Sequence, residues 1–419
     1  MLSGRSDRLA GLDPAALLAP VAERKKIGLA VSGGPDSLAL LVLFSAWRET
    51  AAAPEAVVYT LDHGLRPESA AEAEMVRRIA VEEGFVVRVL RWKGDKPQAG
   101  LPAAARAARY RLIGEAMRAD GAEVLVTAHH LDDQAETVLM RLAHGSGAGG
   151  LGAMRAFADV EGVKVFRPLL GVPKDKLAAI VAAHGLDAAI DPTNADPGYE
   201  RARWRAMWPT LDAAGLTSER LARFAQRMQR LDALAEEVAA DLWRAEVSVD
   251  DFGVIHIAAN VFGGVQEEAG LRILWRALRH AGARQQGDLL AVETLYRQIS
   301  RDEVTAPVTL MGAVVAPGSM WVLVYREAGR KGLPRVHARA GDVTVWDGRF
   351  SVESPVALTI APALALTRER FVALTGEAPD VPVAALRTAP LVSTEDGEVL
   401  ALGARLFDAR IKVNHVALT

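Results

Sequence analysis

Two short blocks carry residue types that could do chemistry. The first is Ser32-Gly33-Gly34-Pro35-Asp36-Ser37, set between the apolar run Ile27–Val31 and the helical pattern Leu38–Phe44. Two glycines allow a tight turn and a close backbone approach to a ligand. The free N–H groups of a helix start point at an anion, and the helix dipole favours it. Ser32 and Ser37 add hydroxyl donors, so a phosphate group is the natural occupant. The same residues also suit an ordinary strand-to-helix turn with Asp36 or Ser37 as N-cap. The second block is Thr127-Ala128-His129-His130-Leu131-Asp132-Asp133-Gln134-Ala135-Glu136-Thr137, which follows another apolar run, Glu123–Ala128. Asp133 and Glu136 are three apart and share a helix face. Carboxylates beside a phosphate chain suit Mg²⁺, a hard cation held by one or two carboxylates plus phosphate oxygens, and the metal set expected here is Asp36, Asp132 and Asp133. A capped helix start, with Asp132 at N-cap and Glu136 completing the cap, is the plain alternative.

Two other nucleotide patterns are weaker. A Walker loop is excluded, because no Gly-Lys dipeptide occurs in the chain. Gly147-Ala148-Gly149-Gly150-Leu151-Gly152 spells GxGxxG but follows a helical pattern, whereas a dinucleotide fold needs a strand before it. We read it as a flexible loop near the site.

The elements that must position these blocks alternate. Apolar runs Ile27–Val31, Ala56–Leu61, Phe85–Leu90 and Glu123–Ala128 are separated by helical patterns at Leu38–Phe44, Ala70–Glu83 and Ala103–Arg118. Near-continuous Val/Ile/Leu strands between helices predict an α/β class, a doubly wound parallel sheet with ligands at the carboxyl ends of its strands. After Pro209 the texture changes. Leu221, Phe224, Met228, Leu231, Leu234, Val238 and Leu242 recur at helical spacing, Leu271–Leu278 and Leu289–Ile299 read as further helices, and short β-runs follow Pro307. The expected organisation is a catalytic domain over 1–212, a mainly helical domain over 213–330 and a small β-containing domain over 331–419.

Of 419 residues, 50% are hydrophobic and 24% charged, a composition that can build packed cores. The formal net charge of −3 excludes a globally basic nucleic-acid coat but not local patches. Residues 77–118 hold ten Lys/Arg against four Asp/Glu, and residues 198–230 seven Arg against three acids. Such segments bind phosphates without reading sequence, or simply face solvent. The N-terminus makes a poor signal peptide and no apolar stretch could span a bilayer, so a soluble, cytoplasmic protein without membrane contact is expected. With Cys 0, a disulfide framework, zinc-thiolate, iron–sulfur cluster or cysteine nucleophile from this chain is excluded.

Ser32–Ser37 resembles the SGGxDS signature of the ATP pyrophosphatases of the PP-loop type, which split ATP between its α- and β-phosphates. His129–Met154 resembles the second signature of the tRNA(Ile)-lysidine synthetases within that superfamily. Leu61-Asp62-His63-Gly64-Leu65-Arg66, Ala105-Arg106-Ala107-Ala108-Arg109-Tyr110, Arg167-Pro168-Leu169-Leu170, Asp191-Pro192-Thr193-Asn194 and Tyr199–Arg205 continue the likeness in order, over roughly residues 27–210. Ala202 stands where the family commonly has Asn. The resemblance implies ATP and Mg²⁺ as cofactors, with tRNA(Ile) bearing a CAU anticodon and L-lysine as partners. It implies adenylation of C2 of the wobble cytidine, then displacement of AMP by the lysine ε-amine. It assigns Ser32, Gly33, Gly34, Pro35, Asp36, Ser37, Asp62 and His63 to the nucleotide. Asp36, Asp133, Glu136 and Arg109 fall to catalysis, and Arg106, Arg109, Arg201, Arg203 and Arg205 to RNA. The sequence does not decide which carboxylate serves Mg²⁺ and which the lysine amine, nor whether the protein is a homodimer. A tRNA base thiolase would need cysteines; an amidotransferase-type synthetase would leave the Arg-rich block unexplained; a non-enzymatic RNA-binding module would leave the phosphate loop unexplained.

Overall fold

The computed structural model describes residues 8–49, 53–94, 96–97, 100–189, 196–263, 266–282, 287–330 and 332–416. The Asp191–Asn194 block lies outside the described residues. Contacts divide the chain into two compact units, Met1–Asp232 and Ala233–Thr419.

The first unit opens with α1 (Pro14–Leu18), β1 (Lys26–Ala30), α2 (Pro35–Arg48), β2 (Glu55–Asp62), α3 (Ser69–Glu82), β3 (Val86–Arg91), α4 (Leu101–Asp120), β4 (Leu125–Val126) and α5 (Leu131–Ala143). It continues with β5 (Phe157–Val160), β6 (Val163–Phe166), α6 (Lys174–Ala183), α7 (Glu200–Ala213) and α8 (Ser218–Glu246). The division into units falls inside α8. The sheet order is β3-β2-β1-β4-β6-β5, parallel except for the β5–β6 pair. The doubly wound expectation therefore holds. Leu29, Val58, Val126 and Phe166 on one face pack with Leu38, Leu41, Val76 and Ile180 of the helices α2, α3 and α6. On the other face Val57, Tyr59, Leu125 and Val165 pack with Tyr110, Ile113 and Met117 of α4. Both faces are thus covered, which is why the strands read as unbroken apolar runs. Strand order reverses between β1 and β4, and the crevice at that reversal is where such sheets take ligands.

The second unit holds β7 (Val247–Val249), β8 (Ile255–Ala258), α9 (Glu267–Gly282), α10 (Leu289–Ser300), β9 (Val308–Leu310), β10 (Ala313–Pro317) and β11 (Trp321–Arg326). After these come β12 (Val336–Ala338), β13 (Val343–Trp346), β14 (Phe350–Glu353), β15 (Leu358–Pro362), α11 (Arg368–Thr375), β16 (Pro390–Ser393), β17 (Val399–Leu402), β18 (Arg405–Leu406) and β19 (Lys412–His415). The helices expected from periodicity form, and α9 and α10 cover an antiparallel sheet β7-β8-β11-β10-β9. Two more antiparallel sheets, β12-β15-β16-β17-β18 and β13-β14-β19, follow. Among the described residues no helix is long and apolar enough to cross a membrane.

One glycine in β1 is dictated by packing. A Cβ at Gly28 would lie 2.7 Å from Tyr59 Cε2 and 3.1 Å from Leu125 Cδ1. The Tyr59 ring cannot swing aside, because its hydroxyl donates to Asp120 Oδ2 at 3.0 Å, and Asp120 is itself held by Arg88. Gly28→Ala is therefore expected to destabilise the protein by about 1–3 kcal/mol, the usual cost of overpacking a core. A urea midpoint equal to wild type would show that this face has slack.

Candidate active site

The phosphate loop leaves the carboxyl end of β1. Gly33 takes φ +91°, and a Cβ there would meet Met75 Cε at 3.0 Å and Val76 Cγ2 at 3.2 Å on α3. Gly34 is the N-cap of α2 and Pro35 opens its first turn, with no side chain capping the helix start. The first N–H groups of α2 are thus left without a side-chain cap. Ser37 is buried, and its Oγ accepts from the N–H groups of Ser32 (3.1 Å) and Gly33 (3.2 Å) while donating to the Gly34 carbonyl at 2.9 Å. Of the loop residues, Ser32 is exposed and closes the turn through a 3.3 Å contact with Ser37 Oγ.

The second block leaves β4, the neighbour of β1. His130, only 2% exposed, is the N-cap of α5 and the centre of the site. Its Nε2 lies 3.5 Å from both Asp36 Oδ2 and Asp133 Oδ2, and its Nδ1 lies 3.5 Å from Asp132 Oδ2. Burial opposes a charge on this ring, but hydrogen bonding and attraction from Asp132, Asp36 and Asp133 win and push it up to about 9. Neighbouring His129 goes the other way. Burial, with Arg167, Arg201 and Arg106 nearby, pushes it down to about 4 despite Asp133, and its Nδ1 contacts Thr127 Oγ1 at 2.9 Å. Adjacent histidines thus take opposite charge states at neutral pH.

The carboxylates are not equivalent. Asp132 is held well below the usual range by His130 against its burial, aided by Ser218 Oγ (2.6 Å) and the Lys174 N–H (3.1 Å). Asp133 accepts the His130 N–H at 3.1 Å, which closes the first turn of α5. Buried Glu136 accepts both ends of the Arg205 guanidinium, at 2.6 and 3.1 Å, and the same Arg205 lies 3.8 Å from Asp133 Oδ1. Asp36 Oδ1, by contrast, is buried with no hydrogen-bond partner.

No group of three His, Cys, Asp or Glu residues able to cage a metal occurs among the described residues. Mg²⁺ needs fewer, since it keeps waters and takes phosphate oxygens. The unpartnered Asp36 Oδ1, with Asp133 converging on the same imidazole, fits that hard cation. Asp132, whose oxygens accept from Ser218 Oγ and the Lys174 N–H, fits a supporting part.

Other expected residues sit further out. Asp62 accepts from Ser69 Oγ (2.6 Å) and the Gly64 N–H (3.0 Å), and His63 Nδ1 accepts the Leu65 N–H at 3.1 Å, so both shape the β2–α3 turn. Arg106 and Arg109 lie exposed on α4, Arg106 over the Tyr110 ring at 5.0 Å. Arg201 and Arg203 are exposed on α7, and Arg203 donates to the Pro197 carbonyl at 3.0 Å. Arg205, expected as an RNA contact, pairs with Glu136. Sequence reasoning assigned no role to His130 or Ser218, and it expected the helix cap at Asp132 with Glu136; the structure puts the N-cap at His130 and closes the capping box with Asp133. The GxGxxG segment, expected as a flexible loop, is instead a helical turn over Ala148–Leu151 whose glycines serve packing: a Cβ at Gly149 would lie 2.8 Å from Asp232 Oδ1 and one at Gly152 would lie 2.9 Å from Gln229 Cγ on α8.

Because the folded-state value of His130 is raised, its stabilising effect is complete below its ordinary value of 6.5 and is lost as pH rises through about 9. Wild type without ligands, in chelator, should therefore lose on the order of 1–3 kcal/mol more between pH 7 and pH 9.5 than His130→Gln does. Parallel pH profiles from urea denaturation would contradict the shared imidazolium.

Residues 13–211 match the family model described as the PP-loop domain. The chain is 42% identical over 320 residues to the tRNA(Ile)-lysidine synthase of Rhodopseudomonas palustris, covering 74% of this chain and 92% of that one. It is 44% identical over 286 residues to the tRNA(Ile)-lysidine synthase of Bradyrhizobium diazoefficiens, covering 67% and 79%. Among solved structures, the U34-tRNA thiolase NcsA from Methanococcus maripaludis matches with a TM-score of 0.45 at 16% identity, over 54% of this chain and 78% of that one. By its identity to these curated relatives across 92% and 79% of their length, the chain belongs to the tRNA(Ile)-lysidine synthases, enzymes of the PP-loop group.

Proposed function

We propose that this protein joins L-lysine to C2 of the wobble cytidine of tRNA(Ile) bearing a CAU anticodon, using ATP. One observation supports this above the others. The phosphate loop and the His130–carboxylate cluster flank the strand-order reversal, joined by the Asp36–His130 contact at 3.5 Å. The cytidine O2 attacks the α-phosphorus of ATP, the bond to the bridging oxygen breaks, and pyrophosphate leaves. The ε-amine of lysine then attacks C2, the C2–O bond breaks, and AMP departs as the amine gives up a proton. The uncapped N-terminus of α2 and the Gly33–Gly34 backbone suit the pyrophosphate leaving group, whose growing charge they stabilise. Asp36 and Asp133 would hold Mg²⁺, which neutralises phosphate charge when bound. Glu136 suits the substrate amine: buried and acidic, it already holds a cation, the Arg205 guanidinium. A carboxylate there keeps the ammonium in place and is positioned to take its proton.

Arg106, Arg109, Arg201 and Arg203 would meet the RNA backbone, and residues 213–330 and 331–419 would grip the tRNA body, all in the cytoplasm. A tRNA base thiolase, the nearest rival, requires sulfur chemistry that a chain with no cysteine does not itself supply.

Purified protein with ATP, Mg²⁺, radiolabelled lysine and CAU-anticodon tRNA should place label on the tRNA, and Asp36→Ala should lower the rate by about 10²–10³-fold. Transfer from another amine or a sulfur donor, with none from lysine, would defeat the reading.

A further inference from the structure

The carboxyl edge of the sheet is acidic where β1 and β4 end, yet cationic where β6 ends, and the reading above gives no role to the buried Arg167 there. Arg167 follows β6 directly and is 5% exposed. Its Nη1 donates to the Arg155 carbonyl at 2.8 Å, its Nε makes no hydrogen bond, and no carboxylate pairs with it among the described residues. Burying a guanidinium is costly unless an opposite charge compensates it.

Burial disfavours the charge on Arg167, Tyr110 partly offsets that, and Arg106, which covers the ring of buried Tyr110 at 5.0 Å, adds a like charge. Arg106, Arg167 and Arg201 together disfavour a proton on His129. Three cations thus act on one buried imidazole, two of them, Arg106 and Arg201, exposed. Asp133 is the one acid acting on that imidazole, and it lies on the far block from Arg167, which has no carboxylate of its own among the described residues. A buried guanidinium left so is completed by an anion, and its planar fork matches a phosphate.

We propose that Arg167, with Arg106 and Arg201, seats a backbone phosphate of the RNA beside the nucleotide that is modified. The inference rests on the reading of the protein as a tRNA-modifying ligase and adds a residue and a subsite to it. Geometry favours RNA over ATP as the source of the phosphate. The loop after β1 takes the pyrophosphate end of ATP, and β6 stands two strands away, about 10 Å at ordinary strand spacing. Arg106 and Arg201 are exposed, so a polymer can reach them from solvent.

The test is binding of a CAU anticodon stem-loop RNA by fluorescence anisotropy across a salt series, without ATP or lysine. Arg167→Gln, which keeps a donor for the Arg155 carbonyl, should weaken binding about tenfold, as loss of a charged hydrogen bond does. The slope of log affinity against log salt should become shallower by about 0.7–0.9, the value of one phosphate contact. Arg167→Lys should recover most of the slope, and ATP affinity should stay within about twofold of wild type. An unchanged salt slope in Arg167→Gln, or a loss confined to ATP affinity, overturns the proposal. Should Arg167→Gln fail to fold by thermal melting, the exposed Arg106→Gln decides, and a slope equal to wild type overturns it equally. Lysine is absent throughout, so this outcome is separate from the fate of the lysine-ligation reading.

Discussion

A single buried imidazolium, His130, holds the active site together. Asp36 comes from the start of α2 and Asp132 and Asp133 from the first turn of α5, and all three place an oxygen 3.5 Å from the same ring. Without a positive charge between them, three carboxylates so near one another in a buried place would repel, and protonation or separation would follow. With it, they form an ordered acidic surface at the mouth of the crevice. Each carboxylate is then differentiated by what else it meets. Asp132 is tied to Ser218 and the Lys174 N–H, Asp133 to the helix cap and Arg205, and Asp36 alone keeps a buried oxygen without a partner. The group least engaged by the protein is the one placed to engage a ligand.

The rest of the first unit serves to bring that arrangement to one line. Parallel strands put the phosphate loop, the His130 block and Arg167 at the carboxyl ends of β1, β4 and β6 in spatial sequence. Helix starts face the phosphate loop and carry His130 as cap, so dipoles and acids share the same edge. The edge therefore has a polarity, phosphate loop and acids at the strand reversal and the buried cation Arg167 toward β6.

Much of this was legible in the sequence, for a physical reason. The phosphate loop and the His129–Glu136 block are local, each fixed by one strand–helix junction, and the apolar runs of a sheet covered on both faces stand out. What was illegible depends on distant partners. Glu136 meets Arg205 69 residues away, and Asp132 meets Ser218 86 residues away, and no spacing rule announces either pair. Arg167 was visible only as part of a motif; its burial without a carboxylate could be seen only in three dimensions. In the second unit β7 and β8 span three and four residues, too short for alternation to register, so residues 213–330 read as mainly helical. The glycines of Gly147–Gly152 mimicked a nucleotide motif because close approach to a helix selects glycine as effectively as close approach to a phosphate does.

The central claim is that this crevice joins an adenylate to RNA before any amine arrives. The direct measurement is to mix the protein with CAU-anticodon tRNA and ATP labelled at the α-phosphate, withholding lysine. Label should become attached to the tRNA with one pyrophosphate released per adenylate, and adding lysine should discharge it as AMP. Release of ADP and phosphate, or a tRNA that stays unlabelled while lysine is still incorporated, would contradict the account.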